Sequence, residues 1–155
     1  MNKRFNMAVY LIIIVVLVDQ MFKWWILRAI EPDHGQRVND FFNLVHVHNT
    51  GITFGLLNRF NPQVTFYFLV GTAVLILFFL GRWLWLTGSA GVALALALVM
   101  GGAIGNVIDR VRFGYVIDFL DFHWQDHHWY SFNIADSAIV TGVGLLLLDS
   151  LSRKR

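Results

Sequence analysis

The sequence predicts an all-α membrane protein of four transmembrane helices with a small extracytoplasmic β element and loop region. Three observations carry that prediction. The 155 residues are 57% hydrophobic and only 14% charged, with a mean hydropathy of +0.59. A soluble domain carries about a quarter charged residues, so this chain lacks the groups that cover a water-facing surface. Four apolar blocks approach the roughly 20 residues a helix needs to cross a bilayer. Finally, the basic residues gather near the ends of the chain, at Lys3 and Arg4 and at Arg153, Lys154 and Arg155. They form no stripe of the kind that binds nucleic acid, so no nucleic-acid partner is expected despite a pI near 9.2. No cysteine is present, which excludes disulfides, a thiolate nucleophile and cysteine metal sites.

The whole chain, 1–155, reads as one integral membrane domain. The first block, about 7–27, begins after two basic residues and is followed by "VDQMFKWW" rather than a small-residue cleavage site. It is therefore expected to be a retained span and not a cleaved leader. The second block, about 64–80, has no charge. The third, about 89–108, is "SAGVALALALVMGGAIGNVI", in which Ala93, Ala97, Gly101 and Gly105 recur every four residues. That spacing makes a smooth face for close helix approach, with Gly102 and Asn106 on the adjacent face. The fourth, about 134–148, starts just after Asn133, a good N-cap. An even number of crossings with short, basic segments at 3–4, 82 and 153–155 puts both termini on the cytoplasmic side. The longer connections, 28–63 and 109–132, then face out. In the first of these, Leu44, His46 and His48 alternate with Val45 and Val47, which predicts a strand or short hairpin. The six tryptophans, 24, 25, 83, 85, 124 and 129, suit an interfacial belt.

Ionisable residues inside or beside apolar segments are costly unless paired or facing water, so each is a candidate site residue. Asp19 and Lys23, at i,i+4 spacing with the acid first, share a helical face and can pair. That pair is open to two readings, a structural ion pair and support from the substrate side. Asp109 and Arg110, directly after the third block, read as a local anchoring network, and Arg112 as a loop charge. Asp118 lies in "YVIDFLDF" among Val116, Ile117, Phe119 and Leu120, which look buried or at the membrane surface. Asp136 is the third residue after Asn133, where the positive end of a helix dipole favours a carboxylate. The intervening 17 residues suffice to return to the same membrane face.

Two carboxylates meeting there cannot both ionise cheaply, so they would share a proton near neutral pH. Such a pair is the equipment of an aspartic protease: one carboxylate takes a proton from water while its protonated partner polarises the scissile carbonyl. Asp121 is the nearest competitor, and Asp126 reads as solvated. Histidine offers rival chemistry through His46 and His48 and through "HWQDHHW", but no H-E-x-x-H spacing is present, and no metal or other cofactor is expected. Two rival functions stand beside the protease. One is a proton- or ion-translocating protein using buried acids as a relay. The other is a non-catalytic assembly subunit using the small-residue face.

Taken together, "VDQMFK", "NLVHVHNTGITFGLL", "GGAIGNVIDRVRFGYVIDFLDF" and "FNIADSAI" resemble the lipoprotein signal peptidase (signal peptidase II) family over nearly the whole chain. The resemblance implies a catalytic dyad of Asp118 and Asp136. It implies supporting or substrate-binding roles for Asp19, Lys23, Asn49, Gly102, Asn106, Arg110 and Asn133, to which the neighbouring Asp109 is added as a candidate. Its substrate would be a prolipoprotein signal peptide whose cysteine already carries a diacylglyceryl thioether, acted on at the outer face of a bacterial inner membrane. Membrane lipid would be the other partner, and a monomer is expected. In "NTGITFG" the family usually has two alanines after the glycine, so Ile52 and Thr53 are a departure beside the expected pocket.

Overall fold

A computed structural model describes residues 3–51, 61–125 and 127–152. Ile52, Thr53, Gly55, Asp126 and the basic residues 153–155 lie outside the described residues. Four long helices alternate with a small antiparallel sheet. The order is α1 (Lys3–Ala29), β1 (Gly35–Asn39), β2 (Phe42–Asn49), α2 (Pro62–Leu86), α3 (Ala90–Phe113), β3 (Val116–Trp124), β4 (His127–His128) and α4 (Ile134–Ser152). All four helices are long and apolar enough to cross a membrane. Large apolar side chains such as Phe78, Phe79, Leu147 and Leu148 point outward, as expected where lipid rather than water is the surrounding solvent.

The helices run longer than the apolar blocks that announced them. α2 continues to Leu86, so Arg82 is helical and the link to α3 shrinks to 87–89. α3 continues to Phe113, where Gly114 ends it in the left-handed conformation (φ 82°) that glycine adopts without a Cβ penalty. Asp109, Arg110 and Arg112 are therefore helical residues and not loop charges. Helical neighbours point about 100° apart, and Asp109 and Arg110 accordingly go to different partners. In place of the local anchoring network expected of them, each joins residues distant in the chain: Asp109 meets Lys23 and Arg110 meets Gly51.

The strand expected around His46 and His48 is β2, paired with β1 as a hairpin. The strands of the second connection, β3 and β4, go beyond the hairpin that the sequence predicts. β3 pairs antiparallel with β2, with Val47 opposite Asp118, His48 opposite Ile117 and Asn49 opposite Val116. The sheet order is β1-β2-β3-β4. It sits at the end of the helices where α1 and α3 finish and α4 begins. There Ile26, Ile30, Ile117 and Phe119 are buried together, with Phe113 and Ile134 packed against them. Phe119 is almost fully covered, and side chains of that size stabilise by roughly 1.5–3 kcal/mol on burial.

At the opposite end Ala8, Leu84, Val92, Ala93, Leu96 and Ala97 form a second core. The Arg4 guanidinium there donates to the Gly88 carbonyl, tying the start of α1 to the α2–α3 link. The small-residue face of α3 receives α1, as the spacing predicts. A Cβ on Gly105 would stand 2.7 Å from an Asp19 carboxylate oxygen. Gly102, on the neighbouring face, receives α4: a Cβ there would overlap the Ala135 carbonyl and press on Ile139. The close approach of α3 to α4 requires this glycine.

Candidate active site

Asn133 caps α4. Its side-chain oxygen accepts the Asp136 backbone N–H at 2.9 Å, and the Asp136 carboxylate accepts the Asn133 backbone N–H at 3.3 Å. This reciprocal arrangement satisfies two helix-terminal donors and fixes the Asp136 carboxylate at the first turn. Its other oxygen accepts from the Asn106 amide at 2.8 Å. Asp118 stands on β3, 2% exposed. Both its oxygens accept side-chain amides, from Asn49 at 2.9 Å and from Asn133 at 2.8 Å. Asn133 therefore holds both acids, one through its side-chain NH₂ and the other through its backbone.

Asp118 and Asp136 line one cavity of about 650 Å³ together with Asn49, Asn106 and Arg110. Burial pushes the Asp118 carboxyl up to about 7, and the negative charge of Asp136 adds to that shift. The Asn49 and Asn133 amides and the Lys23 charge pull against it. The Arg110 guanidinium reaches the Gly51 carbonyl at 3.3 Å and the Asn106 carbonyl at 3.4 Å, while its buried Nε has no partner among the described residues.

Beneath this floor lies a closed ionic cluster. Lys23 is 2.9 Å from Asp19, as the i,i+4 spacing predicts, and 2.7 Å from Asp109 on α3. It also donates to the Asn106 side-chain oxygen at 3.1 Å. An ammonium only donates, so Asn106 must turn its oxygen to Lys23 and its NH₂ to Asp136. Each acid of the cluster also takes a backbone donor. Asp19 accepts from Ala135 at the start of α4 (2.9 Å), and Asp109 accepts from Ile117 on β3 (3.2 Å). The cluster thus pins β3 and α4, the two elements that carry Asp118 and Asp136.

Gly102 stays outside the cavity, as the contact surface for α4. Asp121, three residues after Asp118, points to the other face of the strand. It is bound by Asn43 at 2.8 Å and by His128 at 2.9 Å. The histidines lie apart from the cavity. Buried His46 contacts the Ile30 carbonyl through Nδ1 (2.8 Å) and His48 through Nε2 (3.2 Å). Burial and the neighbouring His46 lower the pKa of His48. Among the described residues, no group of three or more His, Asp or Glu could hold a metal ion.

Sequence reasoning missed several participants. Gln20 donates to Asp109 at 2.8 Å, and Trp129, Phe132, Ser137 and Thr141 line the cavity. Trp129 is also largely exposed. The signal for Ser137 and Thr141 was present as two hydroxyls at i,i+4 beside Asp136.

A family model described as Signal peptidase (SPase) II matches residues 11–152. The lipoprotein signal peptidase of Syntrophotalea carbinolica is 44% identical over 149 residues, covering 94% of this chain and 91% of that protein. That of Serratia marcescens is 42% identical over 137 residues, covering 88% and 80%. A bacterial membrane enzyme solved by the in meso method at 2.3 Å superposes with a TM-score of 0.85 at 27% identity, covering 96% of this chain and 90% of that one. A second such structure, at 1.9 Å, gives 0.84 at the same identity. A match over nearly the full length, from the first helix to the last, makes this chain a member of the signal peptidase II family.

Proposed function

We propose that the chain is an intramembrane aspartic endopeptidase that removes signal peptides from diacylglyceryl-modified prolipoproteins, with Asp118 and Asp136 as its catalytic pair. The observation that carries this reading is the convergence of the two carboxylates on one cavity, each held by amide donors, with Asp118 pushed up to about 7 by burial and by Asp136. The relatives named as lipoprotein signal peptidases support the substrate class.

In the mechanism, Asp118 enters protonated and Asp136 ionised. Water between them gives a proton to Asp136 as its oxygen bonds to the scissile carbonyl carbon, and Asp118 passes its proton to the carbonyl oxygen. The gem-diol then collapses. Asp136 returns its proton to the departing nitrogen, the C–N bond breaks, and Asp118 recovers a proton from a diol hydroxyl. The products are a signal peptide ending in a carboxyl group and a protein with a free amino terminus on its lipid-modified cysteine. Asn49 and Asn133 hold Asp118, Asn106 holds Asp136, and the Arg110 guanidinium faces the cavity as a donor for the substrate backbone.

The expected orientation puts both termini in the cytoplasm and the cavity towards the outer face. Basic residues at the Lys3 end of α1 support it, as does the position of Asp19, roughly 24 Å along that helix at 1.5 Å per residue. A proton or ion relay needs acids spaced through the membrane. Here Asp19, Asp109, Asp118 and Asp121, the buried acids among the described residues, all lie at the sheet end.

The test uses purified protein and a lipid-modified precursor. Asp118→Asn and Asp136→Asn are each expected to abolish cleavage while the protein still accumulates in the membrane. Appreciable residual cleavage by either variant would remove that residue from the chemistry.

A further inference from the structure

The cavity does not stop at the two aspartates. It continues along α4 past Ser137, Ile139 and Val140 to Thr141. Ser137 and Thr141 stand at i,i+4 and so share a helix face. Ser137 Oγ donates to the Asn133 carbonyl at 3.0 Å, which leaves the oxygen lone pairs free to accept. Thr141 is exposed towards the cavity, and its hydroxyl is engaged by no other described residue. Five residues of helix separate Asp136 from Thr141, about 7.5 Å of depth. Two hydroxyls thus line an otherwise apolar wall that descends from the acids into the hydrocarbon region.

A polar wall at that depth answers a specific physical problem. A substrate arriving as a transmembrane helix has all its backbone groups paired internally. Cleavage requires the chain to be extended at the scissile bond, which frees N–H and C=O groups on the upstream side. In hydrocarbon each unsatisfied group costs several kcal/mol. An extended chain advances about 3.3 Å per residue, so 7.5 Å corresponds to a little over two residues before the scissile bond. That segment enters the membrane from the outer face, on the same line that α4 follows.

Resting on the dyad reading above, we infer that Ser137 and Thr141 form a subsite for the unwound backbone of the signal peptide just upstream of the cleaved bond. Ser137 accepts a substrate N–H, and Thr141 donates to the carbonyl about two residues before the scissile bond. Ile139 and Val140 cover the side chains between them. The two hydroxyls act as positioning groups that stabilise the extended form of the substrate against its return to helix.

The experiment measures kcat/KM on a synthetic lipid-modified signal peptide. It repeats the measurement on a second peptide in which the amide two residues before the scissile bond is replaced by an ester, which weakens that carbonyl as an acceptor. Thr141→Val, nearly isosteric, is expected to lower kcat/KM about 5- to 10-fold on the amide substrate, the range of one net hydrogen bond. On the ester substrate the same variant should change it less than about 2-fold. Thr141→Ser should restore the amide rate. Thermal unfolding of Thr141→Val should match the unmodified protein, because the hydroxyl holds no element of the fold. Equal losses on both substrates, or no loss on the amide substrate, would overturn the subsite. Asp118→Asn in the same assay reads the dyad separately: its full activity would reject the catalytic pair, whereas its inactivity beside an unaffected Thr141→Val would reject only the subsite.

Discussion

The raised pKa of Asp118 makes the stability of the folded protein depend on pH in a calculable way. The carboxyl moves from 3.8 to about 7 on folding, so the folded state holds a proton that the unfolded state releases. A group shifted upward stabilises the fold at low pH and loses that contribution as pH rises through its folded pKa. Each pH unit between the two values is worth 1.36 kcal/mol. Lowering pH from 8 to 5 therefore crosses about two effective units below 7 and adds about 2.7 kcal/mol. For a chain of this size that is a rise in Tm of about 5–10 °C. The assay is thermal unfolding in detergent across pH 5–8, with Asp118→Asn as the reference. Other groups contribute equally to both proteins, so the informative quantity is the difference between the two. It should shrink the pH dependence by about the stated amount. If Asp118→Asn keeps the full pH dependence, Asp118 is not the proton holder and the assignment of acid and base must be revised.

Lys23→Met should leave Asp19 and Asp109 buried without their cation, at a cost of about 3–5 kcal/mol, read as loss of folded protein in detergent. Adding Asp19→Asn and Asp109→Asn to it should recover most of that loss, because the uncompensated charges are then gone. Gly102→Val should prevent close packing of α3 on α4 and destabilise by at least about 1–3 kcal/mol, measured by thermal unfolding. In the cleavage assay activity should also fall as pH rises through about 7, when Asp118 loses its proton. Cleavage should persist in EDTA, and a loss restored by zinc would bring the histidines back into the chemistry.

Local relations were legible in the sequence and long-range ones were not. The Asp19–Lys23 pair follows from helical spacing alone, and so does the Asn133–Asp136 cap. The alternation around His46 marks β2 because side chains on a strand repeat every two residues. The partner strand β3 was hidden: Val116 to Leu120 reads as an apolar stretch around one acid, and strand pairing leaves no local trace. Asp109 shows the same limit. Its sequence neighbour Arg110 points to a local anchoring network, whereas the network it joins is built on Lys23, far away in the chain, and only the packing of α1 on α3 brings the two together. Gln20 and the cavity wall formed by Trp129, Phe132 and Thr141 are likewise products of tertiary assembly.

The two acids come from different stages of chain synthesis. Asp118 stands on a strand that precedes α4, and Asp136 enters on the last of the four helices, oriented by a cap that also grips Asp118. A growing polypeptide carrying only the first three helices lacks both the second acid and one of the two amides that steady the first. On the proposed mechanism, ribosome-bound precursors of this protease are inert towards neighbouring membrane proteins until insertion is complete.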